Sequence, residues 1–267
     1  MTTSRNKKTK GLIKLSLLAS AASILSSQAI ASDAIGPGDS GSKWVLGASL
    51  DVYNNPYSGE DNTAEITPNI KYNGERFFIK DGTLNLHLTE THGFSGGLKL
   101  ALDGGFLSEH RDYEDNEKLA GLTEREGTIL GGIYMNHDTG LGRLNFSALT
   151  DLGDEHDGQA AKLKYTFDLK AGNWNINPVL GVEWLSDELV NHYTGVSANE
   201  VTASRAVFSG KETVNVFAGI RARYEITDKW DVNVATGAVK LGSEITDSPI
   251  VEDDVVYQAS LGFNYNF

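Results

Sequence analysis

The residues best equipped for chemistry crowd into the stretch "DLGDEHDG". Asp151, Asp154, Glu155 and Asp157 flank His156 there, and a histidine among carboxylates is how many general acid–base sites activate water. The same letters also spell an ordinary polar turn, and that reading is preferred because nothing completes a catalytic set. The six histidines, at 87, 92, 110, 137, 156 and 192, are scattered. No Ser–His motif, HExxH or phosphate-cradling glycine loop occurs, and cysteine is absent. The acidic stretches 107–126 and 242–254 lack the spacing of a calcium loop and read as solvated. The expectation is a protein that is not an enzyme and uses no cofactor or metal.

A second set of charges is spaced differently. Lys99, Lys162, Lys164, Arg221 and Arg223 each fall in a stretch whose alternate positions are apolar. Asp51, Asp103, Asp168, Glu183 and Asp231 share that parity. On a strand such charges share one face, with the apolar residues on the other. If the apolar face meets lipid, the charges line a lumen, since a basic residue facing lipid near the midplane costs about 2–4 kcal/mol. There they could line a small channel or pair with one another and plug it.

The elements that would position these charges are strands. Twelve stretches fit: 43–53, 63–72, 75–80, 83–91, 94–106, 127–137, 141–150, 160–170, 173–185, 211–226, 229–241 and 255–267. Most approach the 9–11 residues of a tilted membrane strand. Pro68 suggests a bulge in the second. The connections sort by length: alternate ones are short, and those between are mostly long, at 54–62, 107–126, 151–159, 186–210 and 242–254. The third, Asp81-Gly82, is the exception, and Asp-Gly is a favoured two-residue hairpin. Such sorting predicts an all-β fold: a transmembrane antiparallel up-and-down β-barrel of about 12 strands, with short periplasmic turns and long extracellular loops. The longest loop, 186–210, holds Tyr193, Gly195, Val196 and Phe208. It is too apolar for a purely solvated loop and is expected to fold into the barrel mouth, with a short helix possible over 197–206.

The two ends of the chain agree with export to an outer membrane. Arg5, Lys7, Lys8, Lys10 and Lys14 precede a short apolar run that ends at Ala29-Ile30-Ala31. That order reads as a signal peptide cleaved after Ala31, leaving a tail at 32–42 and a barrel at 43–267. At the other end, Phe263, Tyr265 and Phe267 close an alternating aromatic strand, which resembles the C-terminal assembly signal of bacterial outer-membrane proteins. The formal net charge of −13 argues against nucleic acid as partner. A mean hydropathy of −0.28 suits a barrel, whose strands bury only alternate residues in lipid.

Short stretches spread over most of the chain resemble the MipA/OmpV family: "NPYSG" at 55–59, "YNGERFF" at 72–78, "EHDG" at 155–158, "HYTGVSANE" at 192–200, "ITDKW" at 226–230 and "TDSPIV" at 246–251. The resemblance implies an outer-membrane barrel of a Gram-negative bacterium, in contact with lipid and lipopolysaccharide and inserted by the barrel-assembly machinery. For one branch it implies a scaffold joining a murein hydrolase to a murein synthase. The expected function is therefore a non-enzymatic barrel linked to murein assembly. A narrow solute channel is the alternative and an outer-surface adhesin the third reading.

Overall fold

A computed structural model describes residues 43–103, 116–123 and 125–267. The expected signal peptide, the 32–42 tail and most of the acids of 107–126 lie outside the described residues. Thirteen strand segments form one antiparallel sheet: β1 (Trp44–Tyr53), β2 (Thr63–Asn73), β3 (Phe77–Lys80), β4 (Thr83–Thr91), β5 (Phe94–Asp103), β6 (Thr128–Thr139), β7 (Gly142–Asp151), β8 (Gln159–Phe167), β9 (Leu169–Ala171), β10 (Trp174–Leu185), β11 (Thr213–Glu225), β12 (Trp230–Lys240) and β13 (Val255–Asn266). Each segment pairs with its neighbours in chain order, except that β8 and β9 both pair with β10 and not with each other. The last pairs with the first, from Val45↔Asn266 to Tyr53↔Gln258, and this closes the barrel.

Segments β8 and β9 are one strand interrupted opposite Pro178. Pairing with β10 runs Val179↔Thr166 on one side and Ile176↔Leu169 on the other, with no residue gained. Proline has no N–H to give the ladder. The Asn177 side chain supplies one instead, donating from Nδ2 to the Phe167 carbonyl at 3.0 Å. Counted this way the barrel has twelve strands.

The sheet is inside out relative to a soluble protein. Trp44, Leu46, Leu50 and Val52 of β1, and Tyr257, Leu261 and Phe263 of β13, are exposed. Between them Ser49, Asp51, Gln258, Ser260, Asn264 and Asn266 are buried. An outer apolar face around a polar interior is the arrangement lipid demands. At one end an aromatic belt marks the interface with water: Trp44 lies 4.6 Å from Tyr72, Trp174 4.8 Å from Tyr224, and Trp230 4.9 Å from Tyr265, centroid to centroid.

That end carries the short turns. His92 and Gly93 both have positive φ, as do Asp81 and Gly82 in the one tight turn at the opposite end, which is what a type I′ hairpin requires. Two expectations need correction. Pro68 makes no bulge, for β1 and β2 stay in register from Trp44↔Tyr72 to Tyr53↔Thr63. Its strand has an edge that suits proline instead: beyond Tyr72↔Ile79, β2 has no strand partner on the β3 side among the described residues. The bulge lies in β4, between His87 and Thr89. Nor is there a helix over 197–206. Residues 187–194 form α1 (Asp187–Thr194), and 197–206 is a turn-rich excursion flanked by a bridge between Val196 and Phe208. Ser186 caps α1, with Asp187 and Glu188 in its first turn favouring the helix dipole. Asn199 and Glu200 instead lead into a turn.

Candidate functional site

The described parts of the loops 54–62, 107–126, 186–210 and 242–254 fold over the barrel end into a cap with its own apolar core. Tyr57 from the 54–62 loop, Leu119 and Leu122, Leu189, Val190 and Tyr193 of α1, Val196, and Ile245 and Ile250 pack onto Leu185, Val239 and Val256 of the wall. Ile245 sits in α2 (Ser243–Thr246), a single turn. Tyr193 is 1% exposed, Val196 is also buried, Gly195 is buried, and Phe208 is half-buried against the same cluster. Each buried aliphatic side chain contributes about 1.5–3 kcal/mol, so the cap is a cooperative unit rather than a set of mobile loops.

Polar bonds fix its geometry. Tyr193 Oη donates to Asp103 Oδ2 at 2.7 Å, while Tyr57 Oη donates to the Tyr193 carbonyl at 3.2 Å. Ser248 Oγ donates to the Thr194 carbonyl at 2.6 Å. Arg125 pairs with Glu200 at 3.0 Å. Burial alone would raise the Glu200 carboxyl, but hydrogen bonds from Ser197 and Thr123 outweigh it and hold the group down to about 2. On the outer rim Lys118 pairs with Glu252 at 2.7 Å, and Lys240 with Asp254, each lysine lowering its carboxylate partner.

The acid-flanked histidine sits inside this cap, and its hydrogen bonds give it a structural role there. The Asp151 carboxylate accepts from the backbone N–H groups of Gly153, Glu155, His156 and Asp157 and from Thr128 Oγ1. It organises the turn and has no free lone pair for a substrate. His156 Nδ1 accepts from the Gly158 N–H at 2.8 Å, which leaves Nε2 as the donor toward Asp103 Oδ2 at 3.3 Å. Both ring nitrogens are thus engaged in structure. Among the described residues no group of acids and histidines has the arrangement of a metal site.

Below the cap the inner face is charged. Arg221, Arg223, Lys164, Glu183, Asp51 and Asp231 are buried, and Lys99 and Lys162 half-buried. Glu183 and Lys162 face each other across β10 and β8 and pair at 2.9 Å. Asp231 accepts from Asn264 and Asn266, both at 2.9 Å, with Arg223 at 3.9 Å. Asp103 also has inward parity but belongs to the cap. Asp168 departs from its expected place: it is exposed beside the Pro178 interruption and accepts from Asn177 at 2.8 Å. At the closing seam, Phe263 and Phe267 are exposed on the outer face with Tyr265 between them. The Phe267 N–H donates to the Trp44 carbonyl at 2.9 Å.

The contacts that hold the cap together, Asp103 with His156 and Tyr193, and Arg205 with Glu200, Lys118 and Ala120, were not foreseeable as pairs. Except for Arg205 with Glu200, five residues away, they join residues far apart in sequence, and none carries a motif. The one local signal was Ser186 followed by two acids, the start of a capped helix.

Comparison with known proteins follows the same lines. The family model described as MltA-interacting protein MipA matches residues 46–267. The MltA-interacting protein of Escherichia coli strain K12 is 24% identical over 236 residues, covering 84% of this chain and 90% of that one. Outer membrane protein OmpV of Vibrio cholerae is 25% identical over 199 residues, covering 74% and 77%. Among solved structures, the chain is similar to an outer membrane channel from Pseudomonas putida F1, at TM-score 0.40 and 10% identity, over 87% of this chain and all of that one. The family model runs from within β1 to the end of β13, and this chain belongs to the family of the MltA-interacting protein MipA, as an outer-membrane β-barrel.

Proposed function

We propose that this barrel is a non-catalytic component of envelope assembly, with the capped end outward and the short-turn rim presented to murein enzymes in the periplasm. One observation carries the reading: an apolar, hydrogen-bonded cap packs over the long-loop end of the barrel. A molecule shut on its outer side works through its other face. The name of the 24%-identical relative from Escherichia coli supports a murein hydrolase as partner, and the resemblance adds a synthase. The rim is small, made of turns such as 74–76, 92–93 and 172–173, so the expected contact is modest and mixes aromatic belt with charge. Lys43 lies 5.7 Å from the Tyr72 ring centre and Lys229 5.9 Å from that of Tyr265, giving the rim basic groups beside aromatic ones. The test is co-capture of purified lytic transglycosylase and murein synthase by the barrel in nanodiscs. Binding that weakens on Lys229→Glu or Arg76→Glu supports the reading, and no binding of either enzyme overturns it.

A second reading, a narrow solute channel, is favoured by the charged inner face around Arg221, Arg223, Glu183 and Asp231. Its test is swelling of proteoliposomes in small charged solutes. Uptake altered by Arg221→Glu would promote it over the first reading.

A further inference from the structure

Two imidazoles meet where α1 docks on the barrel. The ring centres of His156 and His192 lie 5.0 Å apart, and His192 stacks edge-on against Tyr193 at 4.6 Å. Tyr193 and His156 share one carboxylate oxygen, Asp103 Oδ2, whereas Asp103 Oδ1 is buried with no hydrogen-bond partner. His192 Nε2 lies 3.0 Å from the Glu126 carbonyl and so carries the hydrogen. The joint therefore links α1, the 152–158 loop, the 125–127 segment and the end of β5 through two imidazoles. We propose that this joint is an acid-released latch: a proton on His192 weakens the docking of α1 and lets the cap lift from the barrel.

The groups around His192 decide the sign. Arg125 and the Glu126 carbonyl face it from one side, Glu155 and His156 from another, with Tyr193 on its own helix and Asp103 behind His156. Burial lowers its proton affinity first, and His156 and Arg125 lower it further. The Glu126 carbonyl and Glu155 oppose this without reversing it. An exposed imidazole titrates near about pH 6.5. The closed cap binds the proton less tightly than the open one, so closure is fully favoured above about pH 6.5 and weakens as the pH falls below it. Each unit of difference between the two forms shifts the open-to-closed ratio by at most about tenfold. Tyr193, adjacent to His192, transmits the change, because it holds both Asp103 and the apolar core.

The proposal rests on the reading that the cap shuts the mouth at neutral pH, and its test reads the cap directly rather than any transport or binding. The chain has no cysteine, so spin labels can be placed on Ala198→Cys, just past α1, and Asn62→Cys, at the start of β2, without other changes. Electron–electron distances are recorded in folded protein at about pH 7.5 and about pH 5, a range in which imidazole titrates. The expected result is a reversible broadening toward longer distances in acid. It should disappear in His192→Gln, which keeps a donor for the Glu126 carbonyl but cannot titrate. If His192→Gln fails to fold, His192→Asn takes its place. No change with pH overturns the latch, and so does a change that survives in the variant.

Discussion

Arg205 lies in the exposed-looking stretch 197–209 yet is 3% exposed. Its guanidinium donates to the carbonyls of Glu200, Lys118 and Ala120 at 2.9–3.0 Å. Three acceptors in fixed directions need the rigid fork of arginine. Arg205→Lys should therefore fail to rescue what Arg205→Ala loses, with each buried carbonyl left bare costing about 1–3 kcal/mol. Limited proteolysis near Val201 and Val207, both exposed, would accelerate in both variants while the barrel itself resists. Glu200 gives a pH prediction. Its carboxyl is held to about 2 in the fold, so its contribution is complete above the ordinary glutamate value of about 4.3. It fades as the pH falls toward 2, and Glu200→Gln should flatten the acid limb of cap stability read by the same proteolysis. At this scale the sequence was half legible. The turn around His156 could be read from its letters, because its bonds are local. Asp103 read only as a lumen charge, since nothing local announces a partner 53 residues away.

Strands were the most readable elements, because lipid on one side and a polar interior on the other force strict alternation. β6 and β7 alternate less cleanly, with Gly131 and Gly132 adjacent and Ser147 beside Ala148, yet their ladder is continuous from Leu130↔Asp151 to Thr139↔Gly142. Where the reading failed, a backbone effect was the cause. Pro68 suggested a bulge, but a strand with an edge free of described partners accommodates it. The helix possible over 197–206 lies instead at 187–194, where Ser186 caps it and Asp187 and Glu188 fill its first turn. Two changes test the element account. Val216, 52% exposed on the outer face, should tolerate Leu, whereas Val216→Arg should cost about 2–4 kcal/mol if it lies near the bilayer midplane. Urea titration of folded protein in lipid vesicles measures that difference. Gly97→Val should prevent folding: even a Cβ there would lie 1.8 Å from the Leu86 carbonyl oxygen. Loss of the heat-dependent shift in gel mobility reports it.

At the scale of the whole molecule, closure and sidedness follow from the two ends of the sheet. The last strand must find the first. Its aromatic outer face, Tyr257, Phe263 and Phe267, meets lipid while Asn264 and Asn266 hold Asp231 inside. Removing Phe267 should lower the yield of assembled barrel in membranes more than the stability of barrel already folded, which pulse-labelled assembly would separate. Loop sorting made the barrel legible from sequence. A mouth shut by a cap goes beyond the loop 186–210 expected there, because no pattern in single loops reveals that four of them share one apolar core. That shut mouth is the central claim, and conductance of the folded protein in a planar bilayer at neutral pH tests it most directly. The account predicts silence from protein whose folding is established by gel mobility. Steady unitary currents, shifted in ion selectivity by Arg223→Glu, would contradict it and make the charged interior an open path.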